Sequence, residues 1–402
     1  MQKQLIIAIF FLVAIGYHAQ NNTPQIPYFS FKNGLGISTP DSSWSINIRF
    51  RVQNRFLMNT ASDEDLSPKS WEARVRRCRL SFTGHMYNPK WSYYLQLSFS
   101  KGDMDWSMTD ASTINNSPNV VRDAMIFYRP SKHWQFGFGQ GKLPGNRQRV
   151  VSSGALQFYD RSPANANFTF DRDFGFFSTY NNKIGQHFVW LFKSAITSGE
   201  GRNSTTSNSG LAYTGRLELL PFGNFSEGGD YFEGDVIREE KLKMSLAGSY
   251  CLNDMSARTQ GQLGKDLYQA KSTHGYEADL LIKYRGFALA SEYLRRDTDN
   301  PVTKSGNNTI NVITGDGINT QISYCFKSRL ELAARHTLVT PHNDLYGKMN
   351  QQEQFGVGVT KYLMKHKFKI QGNVFYNRER DLKTATEKNK YLFAAFQVEA
   401  GI

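Results

Sequence analysis

From Trp44 to Phe56 the chain alternates with strict regularity. Trp44, Ile46, Ile48, Phe50, Val52 and Phe56 fall on one face; Ser45, Asn47, Arg49, Arg51, Gln53 and Arg55 fall on the other. A period of two with one apolar and one charged face is a β-strand held between two different solvents. One such strand suits a soluble sandwich as well as a barrel, so the number of strands and their connections must decide. The pattern recurs at residues 91–100, 242–251, 276–284, 368–376 and 392–402. About sixteen such segments are expected, each near the ~10 residues a tilted membrane strand needs. Several apolar faces begin or end in Trp or Tyr, as an interfacial aromatic girdle would.

The connections alternate in length. Short ones fall near 85–90, 130–133, 181–185, 285–286, 326–328 and 363–365. Long polar ones fall at 57–70, 101–119, 143–170, 197–208, 253–271, 297–309, 339–350 and 378–388. Short turns at one end and long loops at the other are the arrangement of an outer-membrane β-barrel, with both ends of the mature chain on the short-turn, periplasmic side. Residues 221–241 break the rule, being long and acidic on the short-turn side. They read as a periplasmic excursion or a miscounted hairpin, the excursion being preferred. A closed barrel also accounts for so many strands without protected edges.

The start of the chain carries Lys3, an apolar run from Leu5 to Ile15, and small residues at Gly16 and Ala19. Residues 1–19 are therefore expected to be a secretory signal peptide, residues 20–43 a short periplasmic lead-in, and residues 44–402 the barrel. After position 16 no apolar run reaches the ~20 residues of a membrane-spanning helix. Cys78, Cys251 and Cys325 are too few and too scattered for a disulfide framework or a metal site. Lys and Arg number 48 against 35 Asp and Glu, a net charge of +13. Such a balance suits nucleic acid, anionic head groups or anionic solutes, and export removes the first.

The stretch from Gly139 to Gly175 runs about thirty residues with no sustained period, yet holds the apolar anchors Leu143, Val150, Val151, Leu156, Phe158, Tyr159, Phe168 and Phe170. Loops of this length are usually functional or disordered. The anchors favour an ordered loop that folds inward and narrows a lumen. Its candidate constriction residues are Lys142, Arg147, Arg149, Asp160, Arg161 and Arg172. On the wall, Arg49, Arg51 and Arg55 share an inward face beside Arg77 and Arg79, a cluster suited to anions. Any one of them taken alone reads as a solvated or ion-paired residue. No His-Glu-x-x-His, Cys-x-x-Cys, Walker-type loop or Gly-x-Ser-x-Gly occurs, so no enzymatic activity and no cofactor are expected. His336 reads as an isolated interfacial histidine.

Asp123–Ala124, Gly139–Gln140 with Lys142 and Pro144, Ser152–Ser153, Phe158, Asp160–Arg161–Ser162, and Asp171–Arg172–Asp173 with Gly175 together carry a resemblance. They are similar to the phosphate-selective porin O and P family in its Bacteroidetes-type form. The resemblance covers most of residues 44–402. It implies a sixteen-stranded outer-membrane porin of a Gram-negative bacterium whose third loop enters the channel. It also implies that some members are trimers that prefer anions. Where many members place a Glu after the Lys-x-Pro unit, this chain has Arg147 and Gln148. The expected role is passive diffusion of small hydrophilic solutes with a modest preference for anions, phosphate among them. The expected partners are outer-membrane lipid, small anionic solutes, the outer-membrane assembly machinery and copies of itself in a homotrimer, with no nucleic acid. A plugged barrel with a structural or surface-interaction role stays open beside it, and an outer-membrane hydrolase is a remote third.

Overall fold

The computed structural model describes residues 27–31, 33–100, 103, 120–204 and 210–402. Its strands are β1 (Tyr28–Ser30), β2 (Leu35–Ser38), β3 (Trp44–Thr60), β4 (Pro68–Met86), β5 (Asn88–Ser98), β6 (Val121–Tyr128), β7 (Trp134–Lys142), β8 (Arg172–Ile184), β9 (Phe188–Thr197), β10 (Ala212–Leu220), β11 (Lys243–Arg258), β12 (Asp266–Tyr284), β13 (Phe287–Asp297), β14 (Val302–Ser305), β15 (Asn308–Asn311), β16 (Gly315–Cys325), β17 (Leu330–Pro341), β18 (Gln351–Met364), β19 (Phe368–Asp381) and β20 (Thr386–Gly401). Two short helices, α1 (Arg147–Val150) and α2 (Pro163–Phe168), lie between β7 and β8.

Eighteen strands share one sheet. Of these, β3 to β13 and β16 to β20 form an antiparallel barrel of sixteen, closed where β20 returns to β3 with Phe396 opposite Phe56 and Gly401 opposite Arg51. Closure leaves no wall strand with an unpaired edge. Most of the wall strands are longer than the ~10 residues expected of a spanning segment. They run from 8 residues in β6 to 19 in β4 and β12, so several rise past the wall. The loops at 57–70, 253–271 and 378–388 are correspondingly shorter than expected, because strand pairing continues into them.

Burial runs opposite to that of a soluble protein. Phe138 (45% exposed), Phe176 (65%), Val357 (60%) and Phe396 (51%) are bare on the outside, while Gln53, Glu218, Lys369 and Glu399 are fully buried inside. Only a solvent of hydrocarbon rewards that arrangement, since a cation on such an outer face costs about 2–4 kcal/mol at the midplane. Near the short turns the rings of Trp91 and Tyr128 stack at 4.5 Å, and Trp134 packs on Tyr180 at 4.8 Å. These are girdle positions. No helix among the described residues is long and apolar enough to cross a membrane.

Ahead of the barrel, the described residues contribute two short strands. β2 pairs with Ser45–Ile48 of β3, below the point where β20 ends, and β1 pairs with β2. At the other end of the barrel, β14 and β15 form a separate hairpin within the loop after β13.

Candidate functional site: a basic passage beside two inserted segments

The loop between β7 and β8 enters the lumen and crosses it, held by apolar contacts at successive points. Leu143 and Phe170 pack on Ala195, Ala212 and Cys251; Ala164 and Phe168 pack on Leu294 and Val339. Phe158 reaches Phe375 and Phe393 on the far wall. α2 starts where Ser162 Oγ accepts the Asn165 N–H at 3.2 Å, with Pro163 in the first turn. The expected inward loop is therefore present and ordered, with two helical turns inside a stretch that shows no sustained period.

Residues 221–242 are not a miscounted hairpin, since they join β10 to β11 at the short-turn end. They do not hang into the periplasm either. They fold up into the lumen beneath the inserted loop, carrying a 3-10 helix at Ser226–Tyr231. Lys283 of β12 holds the segment by donating to the carbonyls of Gly229, Phe232 and Gly234 at 2.6, 2.9 and 2.7 Å. Asp235 accepts the Gly286 N–H at 2.6 Å.

The two insertions interlock. Glu233 accepts the Gln148 side-chain amide at 2.9 Å and the Gln157 N–H at 2.8 Å, and Ala155 O accepts the Glu233 N–H at 3.1 Å. Glu292 accepts the Gln148 N–H at 2.6 Å. Gln148 thus lies between two buried carboxylates, and its uncharged amide bonds to Glu233 without adding a third negative charge beside them.

Together the insertions fill the β10–β19 side of the lumen. What remains are two cavities lined chiefly by β3 to β8 and the insertions, with Gln352 and Gln354 of β18 and Glu399 of β20 at their margins. A cavity of about 750 Å³ on the loop side meets one of about 320 Å³ on the short-turn side. Both are bordered by Arg79, Tyr94, Gln96, Ser152 and Phe232, which form the waist between them.

The wall arginines are gathered by two aspartates, Asp160 on the inserted loop and Asp103 in the β5–β6 connection. Asp160 receives Arg55 at 3.1 Å, Arg76 at 3.3 Å and Arg77 at 2.9 Å. Burial pushes the Asp160 carboxyl up, but Arg77, Arg76 and Arg55 outweigh it and hold the group well below the ordinary carboxylate range. Asp103 gathers Arg79, Arg76 at 3.5 Å and Arg122 at 3.6 Å. Asp160→Asn leaves three guanidinium groups short of a partner and is expected to cost about 3 kcal/mol of stability. The urea midpoint of the refolded protein reads this. Because the carboxyl is depressed in the folded state, the stability it contributes is complete above the unfolded pKa of about 4 and declines as pH falls from there through the lower folded-state pKa, where the clamp itself is protonated.

Of the expected constriction residues, Lys142, Arg149, Asp160, Arg161 and Arg172 line the larger cavity. Arg147 does not. It turns to the far wall and is buried against Asp279 at 3.1 Å and Ser245 at 2.6 Å. Lys142 Nζ donates to the carbonyls of Val150 and Val151, both at 3.2 Å, and Arg149 pairs with Asp171. Arg172 forks onto Asp123 at 2.8 and 3.1 Å. On the wall, Arg77 lines the larger cavity, Arg79 borders both cavities, and Arg49 and Arg51 line the smaller one. Arg55 lies beneath the loop, bonded to Tyr159 O at 2.7 Å and bordering neither. His336 faces outward, with Nε2 3.0 Å from Glu353 and its ring stacked on Phe355.

Two contributing arginines are invisible to simple alternation. The β3–β4 register slips between Gln53 and Asn54, so Arg76 joins Arg77 inside. The β5–β6 register slips between Gln96 and Leu97, so Arg122 joins Asp123 inside. A bulge adds one residue to one strand and re-aims its side chain. Gln140 spans the second bulge, its amide donating to the carbonyls of Val121 and Arg122 at 3.3 and 3.1 Å. Gly139, at φ +130°, permits that turn, since a Cβ there would lie 2.1 Å from Ala124 O.

A closed sixteen-stranded barrel with an apolar exterior, a charged lumen and an inward loop defines the porin class of outer-membrane channel. The family profile "Phosphate-selective porin O and P" matches residues 46–399, and the chain belongs to that family. It is therefore an outer-membrane porin of a Gram-negative bacterium. Solved structures with a similar fold include a loop-deletion mutant of OmpT, an outer-membrane protein of Vibrio cholerae (TM-score 0.55, 10% identity, 90% of this chain and 100% of that one). The outer-membrane channel DcaP of Acinetobacter baumannii matches at TM-score 0.54 and 12% identity, over 92% of this chain and 100% of that one. An anion-selective porin from Comamonas acidovorans matches at TM-score 0.52 and 11% identity, over 89% and 100%. No curated protein sequence matches the chain.

Proposed function

We propose that the protein passes small hydrophilic solutes by diffusion along the β3–β8 side of its lumen, with a modest preference for anions and no chemical reaction. The observation that carries this reading is the charge of the passage. Among the described residues, the larger cavity is lined by nine Arg or Lys side chains and three carboxylates. Of the wall acids, Glu277, Asp279, Glu292 and Glu331 are buried beyond the insertions and border neither cavity, while Glu399 borders the smaller one and is paired with Arg51. Fixed positive charge in a narrow, weakly screened passage raises the local anion concentration. Most of these cations already hold a carboxylate or carbonyl, so the preference is modest, and no tight phosphate site is proposed. Export by residues 1–19, insertion by the outer-membrane assembly machinery and a homotrimer embedded in outer-membrane lipid complete the proposal. One solved relative is described as a trimer form.

A second reading rests on the interlock at Glu233, which joins the two insertions across the lumen: a plugged barrel with a structural or surface-interaction role. Single-channel recording in a planar bilayer separates the two. Discrete KCl steps whose reversal potential in a salt gradient lies on the anion side are expected. A barrel that inserts and stays silent sustains the plugged reading, and a cation-side reversal potential removes the arginines from the mechanism.

A further inference from the structure

The waist has an aromatic side as well as a cationic one, and the aromatic side comes from the segment that folds up from the periplasmic end. Phe232 borders both cavities. One part of its ring packs on Val151, Ala155 and Leu156 of the inserted loop, and another lies 4.8 Å from the ring of His366. Half-buried in this way, with Lys283 Nζ 6.0 Å from its centroid, the ring is fixed in position and its remaining exposed part borders the two cavities. Tyr94, whose hydroxyl accepts the Gln96 amide at 2.6 Å, supplies a second ring at the same level. Arg79 at the waist, paired with Asp103, and Arg51 just below it, 3.4 Å from Glu399 and anchored on Ser153 Oγ at 2.7 Å, supply the guanidinium groups.

Charge alone attracts every anion alike, and an aqueous pore then ranks anions by size. A fixed ring face beside a guanidinium changes that ranking, because it offers contact area only to a solute with a flat apolar part next to its charge. We infer that the waist favours small aromatic carboxylates, a flat ring carrying one anionic group, over aliphatic carboxylates and inorganic phosphate, and that Phe232 is the residue that sets this preference. The inference rests on the channel reading above and narrows its solute class. Phe232 is a specificity-determining residue here, since passage involves no reaction. Lys283 acts through it as a positioning residue, by holding the carbonyl of Phe232.

The test uses the full barrel in planar bilayers, with benzoate, acetate and phosphate as probes. Bi-ionic reversal potentials of the wild type are expected to rank benzoate above acetate by about three-fold, against the size order of a plain wet pore. Benzoate is also expected to reduce the KCl current in a concentration-dependent way while acetate does not. Phe232→Leu keeps an apolar side chain under the loop and removes the ring face. It is expected to restore the size order, read from permeability ratios and therefore independent of any change in total KCl conductance. A wild type that follows the size order, or a Phe232→Leu protein that still prefers benzoate, overturns the inference. If the variant fails to insert, the wild-type ranking and block still decide it. Absence of any KCl current in the wild type overturns the channel reading, and this inference with it. Normal anion-selective current with size-ordered permeabilities overturns the inference alone.

Discussion

Replacing residues 226–239 by a short glycine-serine bridge is expected to raise single-channel conductance by about two-fold or more, since conductance follows the width of the narrowest part of a pore. The segment supplies Tyr231 and Phe232 to the lining of the remaining passage and props the inserted loop through Glu233. Removing it opens the lumen and loosens the loop above. The replacement strips Lys283 of its three carbonyl partners, so Lys283→Met belongs in the same protein. A buried ammonium without partners would otherwise destabilise the wall. Deleting residues 150–167 of the inserted loop should widen the pore as well, because those residues hold Phe158 and α2 across the lumen. If conductance of the folded barrel is unchanged in both deletions, neither segment narrows the path.

The second large effect is on ion selectivity. Arg76→Ala combined with Arg79→Ala removes two cations that line the larger cavity and leaves Asp103 with fewer partners. The anion-to-cation permeability ratio is expected to fall by about three-fold or more, with the larger change at low salt, where the Debye length is longest. Arg49→Ala is the comparison. Arg49 is exposed and borders only the smaller cavity on the short-turn side, so its loss should alter selectivity far less. An unchanged ratio in the double variant, or an equal change in Arg49→Ala, would locate the selecting field elsewhere.

The contrast between Arg49 and Arg76 shows where sequence reading stops. By phase, Arg49, Arg51, Arg55, Arg77 and Arg79 all point inward, and the paired rows of β3 and β4 place them so. Phase gives a direction and says nothing of what lies in front of a side chain. Arg55 is covered by Tyr159 and Asp160, whose position depends on a loop more than a hundred residues away in the chain. Arg76 reads as outward by alternation and is turned inward by one extra residue in the strand. Arg147 and Arg149 both lie in the inward loop, yet a single helical turn sends the two to opposite sides of it.

The sequence by itself determined the barrel, because a wall between hydrocarbon and water imposes its two-faced demand on every residue of every strand. That demand is local, repeats at period two and is enforced by a cost of several kcal/mol for each misplaced charge. It also marked the inward loop, since apolar anchors in a long irregular stretch must find somewhere to be buried. Only the tertiary structure decided how much of the lumen stays open. The 221–242 segment enters because Lys283, Gly286 and the inserted loop offer donors and acceptors from distant parts of the chain, and nothing in its own composition distinguishes that outcome from an excursion into water. The same packing hides the acids of one wall and leaves the arginines of the other facing the passage, so the sign of the pore depends on which charges the insertions cover.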